Sequence, residues 1–324
     1  MEQILICKGE KPTRTGFAEG LLEAGERNKS LVCLGSDITA SVGCDLFAHA
    51  FPERFFSLGI AEQNAAGVAA GLALAGKIPV FATYGVFASL RCTDQIRISV
   101  CYNNVHVIIG GAHAGISVGP DGATHQALED IGTIRSLPNI TLFSPCDATQ
   151  TKLAVKAAVE HVTGPVYLRF GREAVPDFTT ETMPFIPGKA QTLFNGRDLT
   201  IAATGHLVWE AYLAAQMLRQ LGVTCRVLNI HTIKPIDDQA ITEAAIQTGA
   251  ILTAEEHQIQ TGLGSAVAEI VVRNHPVPMD FIGIDNRFGE SGQPRELMEK
   301  FGLTAHNIVE KAIRLIDRKS DAVK

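Results

Sequence analysis

At 324 residues the chain has the length of about two domains, and 46% apolar against 19% charged residues is the balance of a globular protein without a disorder signature. A net charge of -6, with no Lys/Arg-rich run interleaved with aromatics, argues against nucleic acid as a partner. The N-terminal apolar run is too short and too soon followed by charges for a signal peptide, and no segment reaches the ~18 uninterrupted apolar residues of a membrane span, so the reading is a soluble, cytoplasmic protein with no membrane partner.

In chain order, Phe17, Leu21, Leu22 and Ala24 recur at helical spacing between Thr13 and Glu26, and the apolar run from Ser30 to Ile38 reads as a buried parallel strand. A second strand, RFFSLGI, runs into the turn before Glu62, and a helix carrying Gly67 and Gly71 follows it. Lys77 to Phe87 reads as a strand leading into a helix through Asp94, Ile96 and Arg97. Val105 to His113 is an almost continuously apolar strand that breaks into the glycine-rich stretch GISVGPDGATHQALED. ITLFSPCD, a helix over 148–162 and PVYLRFGRE complete one doubly wound α/β domain over 1–175. Pro176, Pro184, Pro187 and Gly188 punctuate a predicted linker over 176–196. The strand and helix alternation then resumes as a second, smaller α/β domain over 197–324, closing with an amphipathic helix from Thr304 to Ile316.

Four clusters could carry chemistry. Glu62 stands among small and apolar residues at the head of a helix, where burying a lone carboxylate is costly unless it meets a specific hydrogen-bond partner; a first-turn glutamate favoured by the helix dipole is the plainer account. Tyr84 and Phe87, just past a strand, read either as core aromatics or as a flat slot for a planar ring. The loop HAGISVGPDGATHQ gathers His113, Asp121 and His125 among glycines that let a ligand approach the backbone. Its spacing matches no common zinc pattern, and general acid/base work on a polar substrate suits it better. Finally, YLRFGR ends a strand with Arg169 and Arg172, whose planar forks suit a phosphate or carboxylate. Seven cysteines, odd in number and without a CxxC pair, read as reduced core thiols.

With these clusters in place, the sequence resembles the carboxyl-terminal half of transketolase over nearly its whole length: a pyrimidine-binding domain to about Arg172, then the transketolase C-terminal domain. GIAEQNAAGVAAGLALAG, TYGVFASLRCTDQIR and GPDGATHQALEDIGTIRSLPN carry the resemblance. It implies that Glu62 hydrogen-bonds N1′ of a thiamine diphosphate aminopyrimidine, helping the cofactor expose the imino group that removes the thiazolium C2 proton; an apolar surrounding suits that task. It further implies that Tyr84 and Phe87 enclose the pyrimidine, that Asp121 and His125 meet the hydroxyl and carbonyl groups of the sugar, and that His113 and Arg169 bind the sugar phosphate. Arg14 and Ser41 fall at two further phosphate contacts, and Asp37 at a position near the cofactor. Tyr84 stands where phenylalanine is common in the family and Ala123 where proline is common.

Full-length transketolases begin with a domain whose GDG motif, followed by an asparagine, holds Mg²⁺ and the diphosphate, and this sequence has no GDG. The expectation is a split enzyme in an α2β2 assembly, with a separate N-terminal subunit supplying the Mg²⁺-diphosphate half and no metal ligands from this chain. The activity implied is transfer of a two-carbon ketol unit between sugar phosphates. A 1-deoxyxylulose-5-phosphate synthase-like enzyme, the β subunit of a 2-oxoacid dehydrogenase and a non-catalytic scaffold subunit are the alternatives.

Overall fold

The computed structural model describes residues 5–322; residues 1–4 and 323–324, at the outer ends of the two predicted domains, lie outside it. The first half contains β1 (Glu10–Pro12), α1 (Thr13–Arg27), β2 (Leu31–Gly35), α2 (Asp45–Ala50), β3 (Phe55–Ser57), α3 (Glu62–Leu74), β4 (Ile78–Tyr84), α4 (Thr93–Gln95), β5 (Ile108–Ala112), α5 (Asp130–Arg135), β6 (Thr141–Phe143), α6 (Ala148–Glu160), β7 (Val166–Arg169) and β8 (Ala174–Pro176). Two π-helical segments, Phe87–Arg91 and Ile96–Tyr102, flank α4. The second half contains β9 (Gln191–Phe194), β10 (Leu199–Ala203), α7 (Leu207–Gln220), β11 (Cys225–Asn229), β12 (Thr232–Lys234), α8 (Asp238–Thr248), β13 (Ile251–Gln258), α9 (Leu263–Asn274), β14 (Met279–Ile284), α10 (Pro294–Lys300) and α11 (Ala305–Ala322).

The strands form a seven-stranded sheet in the order β12-β6-β7-β5-β4-β2-β3, a five-stranded sheet in the order β14-β13-β10-β11-β9, and a ribbon of β1 with β8. The inner strands pair in parallel and are covered on both faces, which accounts for their continuous apolar runs. Leu34, Phe81, Ile109 and Tyr167 pack on one side of the large sheet, and their neighbours Cys33, Val80, Ile108 and Val166 on the other. On that second side α1 packs directly against α6: a Cβ added at Gly16 would come within 1.9 Å of the Ala148 carbonyl oxygen. The start of α6 is fixed by Asp147, whose carboxylate accepts from the Gln150 N–H at 2.7 Å and, where the chain returns, from the N–H groups of Phe178 and Thr179 at 2.9 and 2.6 Å.

Two features depart from the sequence reading. The stretch read as a linker contains β9, which pairs antiparallel with β11 in the second sheet. The short strand β12, from the second half, crosses back and pairs antiparallel with β6 at the edge of the first sheet. The halves are also joined through the core, because Ile116, Leu128, Cys146 and Phe178 pack in the same buried cluster as Leu207, Ile284 and Leu297. Among the described residues no helix is long and apolar enough to cross a membrane.

Candidate active site

Parallel strands present their carboxyl ends on one side of the sheet, where loops can converge on a ligand. Tyr84 closes β4 there. Its ring lies 5.8 Å from Phe87, 4.1 Å from His113 and 5.7 Å from His125, and Phe87 meets His125 edge-on at 5.5 Å. Ser41 Oγ sits 3.0 Å from the Tyr84 hydroxyl and 3.4 Å from His113 Nε2. Arg14 donates to the Ser41 carbonyl at 3.2 Å, and Arg172 donates to Asp121 Oδ1 at 2.9 Å. His125 Nδ1 lies 2.9 Å from Thr124 Oγ1. Arg14, Ser41, Tyr84, Phe87, His113, Asp121, His125 and Arg172 are thus drawn from several separate segments into one neighbourhood.

His113 holds a φ of 53°, which non-glycine residues adopt only when their surroundings impose it. The residue is buried and its Nδ1 has no hydrogen-bond partner. Burial first, and then the charges of Arg14 and Arg172, lower its pKa to about 4 against a partial offset from Asp121, so its imidazole is neutral at physiological pH. Arg14 and Arg172 are the guanidinium charges that face it.

Glu62 is the first residue of α3 and only 3% exposed. Its carboxylate is not alone among apolar groups: Oε2 accepts from Arg91 Nη1 at 2.7 Å, and the Arg91 guanidinium rests 4.1 Å from the centre of the Phe87 ring. The specific partner anticipated by burial cost is thus Arg91, which the sequence reading did not identify because nothing local links it to Glu62. The open side of α3 is smooth, with no atom within 4 Å of where a Cβ would stand on Gly67 or Gly71.

Arg169 and Asp37 are placed differently. Arg169 is turned inward and 5% exposed, donating to Asp130 Oδ2 at 2.9 Å, the Ala127 carbonyl at 3.2 Å and the Glu256 carbonyl at 2.9 Å. It is a cross-link between the halves, its guanidinium engaged by these three acceptors rather than turned out toward the phosphate expected of it. Asp37 is exposed just beyond β2. Among the described residues no three His, Cys, Asp or Glu side chains are grouped to hold a metal ion.

Comparison with known proteins identifies two family domains in this chain. The model of the transketolase pyrimidine-binding domain matches residues 10–177, and that of the transketolase C-terminal domain matches residues 188–308. The chain is 40% identical to a 6-deoxy-6-sulfo-D-fructose transketolase subunit of Clostridium sp. strain MSTE9, over 95% of either chain. It is also 40% identical to one of the subunits of an apulose-4-phosphate transketolase of Phocaeicola vulgatus, over 94% of this chain and 97% of that one. A solved structure described as a split gene transketolase, inactive β4 tetramer, superposes with a TM-score of 0.89 at 44% identity, covering 95% of this chain and 99% of that one. The chain belongs to the transketolase family, whose members depend on thiamine diphosphate.

Proposed function

We propose that this chain is the second subunit of a split transketolase and provides the pyrimidine-binding half of a thiamine diphosphate site together with a sugar-phosphate site. The observation that carries the reading is the convergence on Tyr84: Phe87, His113 and His125 surround its ring, and Ser41 meets its hydroxyl. The residues fit the cofactor by their chemistry. Glu62 offers a buried carboxylate oxygen to a ring nitrogen, and Tyr84 and Phe87 offer apolar faces to a planar heterocycle. When bound, thiamine diphosphate supplies the nucleophilic carbon and the electron sink needed to break the bond between C2 and C3 of a ketose.

The chain's own residues bind, orient and hold protons. Glu62 hydrogen-bonds the pyrimidine; for that, Arg91 must share or release the carboxylate. Asp121 and His125 orient the sugar's hydroxyl and carbonyl groups, while Arg14 and Arg172 supply charge for its terminal anion, with Ser41 and neutral His113 adding hydrogen bonds. Mg²⁺ and the diphosphate belong to the partner subunit in this reading. Ile60, Leu74, Leu90, Ile98 and Tyr102 are exposed on and beside α3, which suits a surface covered in an α2β2 assembly. The cytoplasm is the matching compartment, since it keeps free thiols reduced. A terminal phosphate or sulfonate would satisfy the two arginines equally, so the donor is a ketose bearing one of these anions.

The test is reconstitution with a partner chain carrying a GDG-bearing diphosphate domain, thiamine diphosphate and Mg²⁺, followed by ketol transfer from a panel of phosphorylated and sulfonated ketoses. Glu62→Ala lowers kcat by about a hundredfold or more, the scale of a lost proton-handling contact. Wild-type turnover by that variant would sink the assignment.

A further inference from the structure

The second domain reaches into the substrate loop. The connection between β5 and α5 carries His113, Asp121 and His125, and its stem is a bridge between Ala114 and Ala127. Beyond the stem, the backbone N–H of Ser117 donates to Glu256 Oε1 at 2.6 Å, from β13 of the second domain. The other oxygen of the same carboxylate lies 3.2 Å from His206 Nδ1. Gln126 donates from Nε2 to the Ile116 carbonyl at 3.0 Å and to the Glu290 carbonyl at 2.8 Å, tying the returning limb of the loop to the same domain. The fit is close. Gly115 has a φ of +84°, and a Cβ there would fall 2.2 Å from the Glu256 carboxyl carbon; a Cβ on Gly119 would come within 2.9 Å of the Pro294 ring.

We infer that Glu256, with His206 beside its second oxygen, is a positioning residue that sets the loop carrying Asp121 and His125, and that holding this loop is a task of the second domain in the reaction. The inference rests on the reading of those two side chains as sugar contacts. Glu256 is fully enclosed, and although burial alone would raise its pKa, the His206 contact, the charge of Arg169 and the Ser117 bond hold it below the ordinary carboxylate range. A buried anion accepting from a backbone N–H on one oxygen and facing an imidazole on the other is tightly located. Displacement of reacting groups by about 1 Å costs on the order of a hundredfold in rate, so the anchor reaches the chemistry through distance alone.

Amide hydrogen exchange on the full chain and steady-state kinetics of the reconstituted complex test it together. In Glu256→Ala, exchange across 114–128 rises about tenfold while β4 and α3 keep their protection. The ketose KM rises by about tenfold with the thiamine diphosphate Kd within about twofold of wild type. Glu256→Gln keeps an oxygen for the Ser117 N–H and restores most of both. His206→Leu, which leaves Glu256 in place, gives about a threefold rise in exchange over the same loop and serves if Glu256→Ala does not fold. Exchange in 114–128 unchanged in these variants, or raised equally through both domains, overturns the inference. A loosened loop with unaltered KM would support the anchor and instead overturn the sugar reading of Asp121 and His125.

Discussion

Arg169 and Arg172 leave the same strand for opposite environments. The first is enclosed by Asp130, the Ala127 carbonyl and the Glu256 carbonyl, whereas the second, one-third exposed at its side chain, pairs with Asp121 beside His113. Arg172→Ala should therefore raise the KM of an anionic ketose about tenfold with a smaller change in kcat, as read by initial rates of the reconstituted complex. His113 makes a second prediction. Its ordinary pKa of 6.5 falls to about 4 in the fold, so between those values unfolding takes up a proton and stability rises with pH. This contribution is complete above pH 6.5 and lost as pH falls toward 4. His113→Asn, which suits the positive φ, should lower the slope of unfolding free energy between pH 5 and 6 by about 1.4 kcal/mol per pH unit in denaturant titrations. At this scale the sequence was informative where chemistry is packed into short motifs: Glu62, Tyr84, Phe87, His113, Asp121 and His125 could all be singled out. Two charged pairs could not, because Arg91 meets Glu62 and Arg169 meets Asp130 only through tertiary packing.

Among the elements, α6 rests at its start on a single side chain. Asp147 caps the helix and also receives the chain at Phe178 and Thr179, including the Thr179 hydroxyl at 2.7 Å. Asp147→Ala deletes the cap and strands those donors, and should cost at least about 2 kcal/mol in chemical denaturation, more than an exposed helix cap. The long helices and the parallel strands were legible from their apolar runs, whereas the short helices Asp45–Ala50, Asp130–Arg135 and Pro294–Lys300, at most two turns each, were not. Nor were short antiparallel strands. Gln191–Phe194 and Thr232–Lys234 are too brief to show a period, and their pairing is dictated by the sheets they join. The segment after Tyr84 reads correctly as helical, but its π-helical turns have no signature in the spacing.

For the whole molecule, the seam between the halves is polar as well as apolar. Arg169 joins Asp130 to the Glu256 carbonyl, His257 Nε2 accepts from the Gly132 N–H at 3.3 Å, and the Gln258 N–H donates to the Leu128 carbonyl at 2.9 Å. Removing Arg169 leaves a buried aspartate without its cation, a change worth about 3 kcal/mol. Calorimetry of Arg169→Met should show this loss and resolve two transitions where the parent chain is expected to give one. Two α/β domains could be recognised from the sequence; their seam could not, because its residues are scattered from Ile116 to Leu297 and meet only in the fold.

The return of β12 to the first sheet bears on synthesis. During translation, β6 emerges with its outer edge unpaired, and the strand that covers it comes only after β10, α7 and β11. A nascent chain therefore carries an open sheet edge able to recruit a strand from a neighbouring polypeptide, and it gains its own cover late. Truncation after the first domain would make that temporary edge permanent.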